Sequence, residues 1–117
     1  MSKYILLLRN DPSGWEKMSP EDMQKWMQRY IDWNNKPYVV QSDRLDSFTG
    51  RVMQKKDGKL SVTDGPYGES HEVLGGYYTI EAKDFDEAVK LSSDHPHAEH
   101  GTVEIREIMA MPEHGRG

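Results

Sequence analysis

The segment YYTIEAKDFDEAVKLSSDHP, residues 77–96, contains a strand pattern followed directly by a helix pattern. Residues 77–82 place alternate side chains on opposite faces, which is typical of a half-buried β-strand. Asp84 is a good helix cap and Glu87 follows three positions later, so a short helix is expected over residues 85–93. A strand that leads straight into a helix indicates a domain that mixes α and β structure.

The predicted second helix has an apolar face and a definite end. Phe85, Ala88 and Val89 share one side of the helix and are expected to face the core. The sequence Asp-His-Pro at residues 94–96 closes the helix, because proline cannot continue it.

A strand followed by a helix also opens the chain. Residues 3–9 predict the first strand, and the turn-forming residues 10–14 end it. Ser19 is a suitable cap for a helix that runs from Pro20 to Trp33. Its apolar stripe is expected to face the core and comprises Met23, Trp26, Met27, Tyr30 and Ile31.

Four more strand patterns complete the secondary structure. Asp57-Gly58 is the strongest two-residue hairpin signal, so the strands on either side of it are predicted to pair. With the strand before them they are expected to form a three-strand meander. The predicted strands are residues 39–45, 51–56, 60–63 and, at the end of the chain, 102–108.

The order of these elements predicts an α+β fold. It is a ferredoxin-like βαββαβ plan enlarged by an extra hairpin strand. Two helices can cover only one face of such a sheet, yet residues 4–8 are apolar on both faces. A homodimer that apposes its two sheets is therefore expected.

Length and charge restrict the class of protein. The 117 residues suit a single domain, predicted over 1–110, with 111–117 as a flexible tail. A net charge of −5 without a basic stripe argues against direct binding of nucleic acid. Residues 4–8 form the longest apolar run, too short to span a membrane, and the absence of cysteine suits a cytoplasmic location.

The segment TDGPYGESHEVLGGYY, residues 63–78, holds the candidate site. Asp64 is the first candidate for catalysis as a proton acceptor, although a carboxylate that caps the turn is the commoner structural role. His71 titrates near neutrality and is the second catalytic candidate. The candidate ligand contacts are Tyr67, Glu69, Gly75 and Gly76, and the two glycines also suit a β-bulge.

His95, His97 and His100 form an H-x-H-x-x-H pattern, to which Glu99 adds a carboxylate. Zinc or nickel accepts such ligands. A solvated loop is the commoner interpretation of this pattern after a helix, so no metal is predicted. The glycine spacing matches no dinucleotide or phosphate-loop motif, and no cofactor is predicted.

Several motifs together resemble the YCII-related family, in particular its DGPF-domain branch. They are Tyr4 to Leu7, Asp64 to Tyr67, Glu69, Glu72, Leu74 to Tyr78, Asp84, Asp86 to Ala88, His95-Pro96 and Gly101 to Arg106. The resemblance covers nearly the whole chain. It implies a dimeric ferredoxin-like fold close to the dimeric α/β-barrel proteins.

The resemblance implies less about function. Some family members are suspected enzymes with a His and Asp pair in a cleft, but the first helix here has no histidine near Asp22 or Met23, where that histidine would lie. We therefore expect a homodimer that binds a small molecule in a cleft near the Asp64–Tyr67 loop, with a minor enzymatic activity left open. The alternative that the branch implies is a regulatory module with a sigma factor as its partner.

Overall fold

A computed structural model of the protein describes residues 1–65 and 72–110. The elements follow one another as strand, two helices, four strands, helix, 3₁₀ helix and strand. Their bounds are β1 Ser2–Asn10, α1 Ser13–Glu16, α2 Pro20–Asn34, β2 Val39–Arg44, β3 Arg51–Lys56, β4 Lys59–Asp64, β5 Val73–Ala82, α3 Phe85–Ser92, the 3₁₀ helix Pro96–Glu99 and β6 Thr102–Glu107.

Four of the strands form one antiparallel sheet in the order β2-β5-β1-β6. If the β3–β4 hairpin is set aside, the chain runs βαββαβ, and the sheet has the strand order of a ferredoxin-like fold. The α+β prediction is confirmed.

The predicted meander is wrong. β3 and β4 pair only with each other among the described residues, as a separate two-stranded hairpin, while β2 pairs with β5. Nearly all side chains of the hairpin are exposed, so it offers no buried face that would hold it in the main sheet. Its turn is as predicted, because Asp57 and Gly58 both have positive φ.

The two predicted helix caps are present. Ser19 Oγ accepts a hydrogen bond from the backbone N–H of Asp22 at 3.1 Å. Asp84 Oδ1 accepts one from the N–H of Glu87 at 2.8 Å. These bonds satisfy amide groups that have no partner within the helix, so α2 and α3 begin where the sequence indicates.

The core lies between the sheet and the helices. Alternate residues of β1 and β5 are buried there, which matches the strand period of two. Trp33 of α2 and Ala88 of α3 supply the helical side. The buried apolar residues are Tyr4, Leu6, Leu8, Trp33, Tyr78, Ile80, Ala82 and Ala88.

Three residues predicted to face the core are exposed. Phe85 and Val89 of α3 are 45 % and 49 % exposed, because the helix packs through Ala88, Leu91 and Ser92 instead. Ile31 of α2 is 52 % exposed, since it borders a cavity and not the packed core.

In residues 1–65 and 72–110, no helix is long and apolar enough to cross a membrane. The predicted flexible tail, residues 111–117, lies outside the described residues. The bounds of the single domain stay a prediction.

Candidate functional site

A cavity of about 320 Å³ opens between α2 and the helix-facing side of the sheet. That volume suits a small ring-shaped molecule. α1, α2, three strands and the segments beside them all contribute to the wall. The lining residues are Leu8, Asn10, Trp15, Met27, Tyr30, Ile31, Asn34, Ser42, Asp43, Arg44, Ser47, Gly75, Gly76, Tyr78 and His97.

Much of this wall is apolar or aromatic. Leu8 and Tyr78 belong to the buried core and form the floor of the cavity. The Trp15 ring, on the short helix α1 that the sequence did not predict, meets the Tyr30 ring edge to face at 6.4 Å. Aromatic walls of this kind favour a flat apolar ligand.

The polar part of the wall includes one cationic side chain, Arg44, which forms no ion pair with any of the described residues. The carboxylate of the neighbouring Asp43, which also contributes to the wall, accepts a hydrogen bond from the Tyr77 hydroxyl at 2.6 Å. Adjacent side chains of a strand point to opposite faces, so the side chains of Arg44 and Asp43 lie on different sides of the sheet. Arg44 therefore places a positive charge at the cavity wall, on the side of the sheet opposite the Asp43 side chain.

Gly75 and Gly76 form part of the wall. The pairing of β1 with β5 shifts between Leu8 and Arg9, which leaves Gly75 as the extra residue of a β-bulge. A Cβ on Gly76 would lie 3.0 Å from the carbonyl oxygen of Asp43, so a side chain here would require the backbone of β2 to shift by a few tenths of an ångström. The bulge interpretation is confirmed, and the role of both glycines as ligand contacts stays a prediction.

The histidines after α3 are not solvated as expected. His95 and His97 are 1 % and 2 % exposed. His95 caps the 3₁₀ helix and His97 lies within it. The centroid of the His95 ring is 4.5 Å from that of Trp33 on α2 and 4.7 Å from that of Tyr78. The solvated-loop interpretation is therefore wrong for these two residues.

Hydrogen bonds join these histidines to α2. Tyr30 Oη lies 2.7 Å from His97 Nδ1 and 3.0 Å from His100 Nε2. His97 Nε2 lies 2.8 Å from the backbone carbonyl oxygen of Arg9. Tyr30 and His97 both line the cavity, so this chain of hydrogen bonds lies next to it.

A glycine permits this arrangement. A Cβ built on Gly101 would lie 2.6 Å from His97 Nε2 and would overlap the carbonyl oxygen of Arg9. Any other residue at position 101 would displace one of the two groups. The His97–Arg9 hydrogen bond therefore depends on the absence of a side chain at Gly101.

Burial keeps the cluster uncharged near neutral pH. It lowers the pKa of His95 to about 4 and also lowers the pKa of His97 and of His100. Burial raises the pKa of the Tyr30 phenol well above its usual range. The relevant groups are thus neutral donors and acceptors of hydrogen bonds.

Both ring nitrogens of His97 already have partners in the protein. Among residues 1–65 and 72–110, no group of three metal-ligating side chains is placed to hold an ion. The cluster is therefore a hydrogen-bonded network.

The predicted site residues fall in three places. Asp64 ends β4 on the exposed hairpin, where its side chain is 90 % exposed and lies 3.5 Å from Arg51 Nε. Tyr67, Glu69 and His71 lie outside the described residues. Gly75 and Gly76 are the members of the predicted set that line the cavity.

Sequence reasoning missed Tyr30, His97 and Arg44 as site residues. Tyr30 lies in an apolar stripe and was assigned to the core. The H-x-H spacing did mark His97, but it was interpreted as part of a solvated loop, with a metal ligand as the alternative. Arg44 carries no sequence signal, because a charged residue near the end of a strand is commonly only solvated.

Fold and cavity together define a small α+β domain of ferredoxin-like topology with a ring-sized site between one helix and the sheet. Residues 2–112 match the family described as YCII-related domain, and the chain belongs to that family. The resemblance noted in the sequence is thereby confirmed at the level of the family.

Two similar proteins give this assignment context. An uncharacterized protein of Rhizobium meliloti (strain 1021) is 26 % identical over 114 residues, which cover 90 % of each chain. A solved structure of 5-chloro-2-hydroxyhydroquinone dehydrochlorinase from Burkholderia phenoliruptrix AC1100, in complex with 2,5-dihydroxybenzoquinone, is similar with a TM-score of 0.56. It is 9 % identical, and the match covers 96 % of this chain and 97 % of that one, so the likeness concerns the fold.

Proposed function

We propose that the protein binds a small ring-shaped molecule with an acidic or anionic oxygen group in the cavity beneath α2. The observation that carries this proposal is the cavity itself, about 320 Å³ in volume and lined by aromatic and apolar side chains with a few polar groups. Sites for small molecules have this composition.

The charge of the wall supports the oxygen group. Arg44 is a fixed cation whose planar guanidinium suits a carboxylate or a phenolate. Asn10 and Ser47 add neutral groups able to bond an oxygen. Arg44 is exposed, so an uncharged hydrocarbon would leave its charge to solvent and would gain no ion pair from it.

The structural neighbour supports the size of this ligand. The ligand in that complex, 2,5-dihydroxybenzoquinone, is a single ring with oxygen substituents. A protein of similar fold that forms a complex with such a ring supports the proposed size of the ligand. The chemistry proposed here rests on the cavity wall of this chain, and a minor enzymatic activity is part of the proposal.

We also propose the homodimer and the dimeric α/β-barrel arrangement. Ile5, Leu7 and Tyr77 form a partly buried row on the sheet face opposite the helices. A second copy would cover that row. The DGPF branch and the regulatory alternative with a sigma factor stay predictions, as does the cytoplasmic location.

Titration calorimetry with benzoate and its neutral analogue benzamide tests the ligand class. Benzoate should bind more tightly, and Arg44→Gln should reduce this preference by roughly tenfold or more, as expected for a lost charge-assisted hydrogen bond. Failure of the protein to bind benzoate would overturn the proposed ligand class.

A second pair of variants tests the location. Ile31→Trp places a large ring at the border of the cavity and should abolish binding of both compounds. Val89→Trp is the matched control, because Val89 is a similarly exposed aliphatic residue of a helix that does not line the cavity. If both variants lose binding equally, or both retain it, the compounds do not bind in this cavity.

A further inference from the structure

We infer that Tyr30 and His97 form a proton-transfer pair that ionises an acidic hydroxyl of the bound ring. This inference rests on the proposed function, because the cavity must first hold the molecule. It assigns the substrate class as phenols and related hydroxyl acids. Tyr30 is the residue that contacts the hydroxyl, and His97 acts through Tyr30.

The direction of the hydrogen bonds follows from one fixed acceptor. The backbone carbonyl of Arg9 can only accept, so His97 Nε2 carries the hydrogen in their 2.8 Å bond. In the neutral ring, His97 Nδ1 then has a free lone pair and accepts from the Tyr30 hydroxyl at 2.7 Å. The Tyr30 oxygen can in turn accept from Nε2–H of His100 at 3.0 Å.

This order leaves Tyr30 ready to exchange protons. The hydroxyl donates to a base and retains oxygen lone pairs for a second donor, and Tyr30 lines the cavity. A ligand hydroxyl that replaces or joins His100 at the Tyr30 oxygen would donate to a group already coupled to an imidazole. In this arrangement the Tyr30 hydroxyl donates to a histidine base, and the Arg9 carbonyl fixes the orientation of that histidine.

The proton transfer conserves atoms and charge. The O–H bond of the ligand breaks and its proton binds the Tyr30 oxygen, while the proton of Tyr30 moves to His97 Nδ1. The electron pair of the broken bond stays on the ligand oxygen. The products are an anionic ligand and a cationic His97, and no oxidant or further reactant is needed.

Groups around the pair act on both products. Burial lowers the pKa of His97, while the hydrogen bond to the Arg9 carbonyl and the charge of Glu72 oppose that shift and stabilise the imidazolium. Arg44 lines the cavity and would stabilise the ligand oxyanion. The charged groups that influence Tyr30 are Arg29, Arg44 and Glu99, and the charged or titratable groups near His97 are Glu72, His95 and His100.

The surroundings hold the pair in position. The backbone N–H of His97 donates to His95 Nδ1 at 3.0 Å, and the missing side chain of Gly101 lets the His97 ring reach Arg9. An ion pair between Arg29 and Glu99 fastens α2 to the 3₁₀ helix on which His97 lies. The pair therefore needs little reorganisation when a ligand arrives.

4-Nitrophenol is a suitable probe, because its ionised form absorbs visible light and its neutral form does not. At a pH at which the free probe is mostly neutral, the wild-type protein should bind it and show the phenolate band. Tyr30→Phe should still bind the probe, but the ionised fraction of the bound probe should fall by roughly tenfold or more. Tyr38→Phe is the control and should retain the band, because Tyr38 bonds the Leu91 carbonyl and is not among the residues that line the cavity.

The outcomes separate the inference from the proposed function. Calorimetric binding of the probe without a phenolate band in the wild type would overturn the proton-transfer pair and leave the binding site intact. A band that persists in Tyr30→Phe would also overturn it. Failure to bind 4-nitrophenol while benzoate binds would overturn the hydroxyl-acid class, and failure to bind either compound would overturn the proposed function itself.

The tautomer of His97 tests the pair without any ligand. ¹⁵N NMR of the imidazole should show a protonated Nε2 and an unprotonated Nδ1 near neutral pH. A protonated Nδ1 would reverse the Tyr30–His97 bond and overturn the inference. In His97→Gln, the phenolate band of the bound probe should appear only near the pH at which the free probe ionises, which a purely structural role would not produce.

Discussion

Trp33 Nε1 donates a hydrogen bond of 2.9 Å to Asp94 Oδ1, 61 residues later in the chain. Lys36 Nζ lies 3.1 Å from the other carboxylate oxygen, so one aspartate holds the last turn of α2 against the segment after α3. That segment continues into the 3₁₀ helix with His95 and His97. The Trp33–Asp94 bond thus helps to place the histidines beneath Tyr30.

We predict that Asp94→Asn lowers the free energy of unfolding by about 0.5–1 kcal/mol near neutral pH, a modest loss because the carboxylate is largely exposed. The Trp33 hydrogen bond, with help from Lys36, lowers the pKa of Asp94 in the folded state. The stabilisation is therefore present above the pKa of the unfolded state and is lost as the pH falls through the folded value.

Urea titrations of both proteins across the acidic range measure this difference. The gap between wild type and Asp94→Asn should close as Asp94 becomes protonated. A gap that stayed constant from neutral to strongly acidic pH would show that charge plays no part.

A second prediction concerns the buried His95 ring. Burial lowers its pKa from 6.5 to about 4, so between those values the unfolded chain binds a proton that the folded chain does not. Stability should therefore decrease as the pH falls from 6.5 toward 4, by on the order of 3 kcal/mol from this residue. Its neighbours His97, Asp94 and His100 titrate as well, so a variant is needed to isolate it.

His95→Asn supplies that comparison. The asparagine oxygen can replace Nδ1 as acceptor for the N–H of His97 and carries no titrating proton. The variant should be less stable near neutral pH, since it leaves space among the rings, but its stability should depend less on pH below 6.5. Identical pH dependence of the two proteins would contradict the prediction.

The third prediction is that Gly101→Ala destabilises the protein by about 1–3 kcal/mol, because the added methyl group overlaps the Arg9 carbonyl and the His97 ring. Gly14→Ala is the matched control. No atom lies within 4 Å of a Cβ at Gly14, which is in helix α1, so that change should be neutral or slightly stabilising. Thermal melts of both variants measure the contrast, and equal melting temperatures would show that the His97 site relaxes freely.

Local signals in the sequence predict much of the fold. Ser19 and Asp84 cap the helices by hydrogen bonds to nearby amides, and Asp57-Gly58 sets the hairpin turn through its own backbone angles. These features depend on residues only a few positions apart. They can therefore be recognised without knowledge of the tertiary structure.

The site could not be predicted in the same way, because it depends on contacts between distant residues. Tyr30 meets His97 across 67 positions, and His97 meets the Arg9 carbonyl across 88. Tyr30 lies in an apolar stripe and His97 follows a helix. Neither local pattern indicates that the two side chains are in contact. The failure of the meander has the same cause, since β2 pairs with β5 and leaves the adjacent hairpin separate.

The last prediction concerns the face of the sheet opposite the helices. Ile5 and Leu7 point to that face, and Leu7 is paired with Tyr77, so an apolar row crosses two central strands. Arg9 and Glu104 form an ion pair beside it. Apolar side chains with a charged border are typical of a protein–protein interface.

Light scattering should therefore give a mass close to twice the 13.5 kDa of one chain at micromolar concentration. Leu7→Glu places a charge in the middle of the row and should reduce the mass to that of one chain, because an unpaired charge is costly to bury. Val89→Glu puts the same charge on an exposed position of α3, outside this face, and should leave the dimer intact. A single-chain mass for the wild type, unchanged on concentration, would refute the dimer, and a dimer that survives Leu7→Glu would place the interface on another surface.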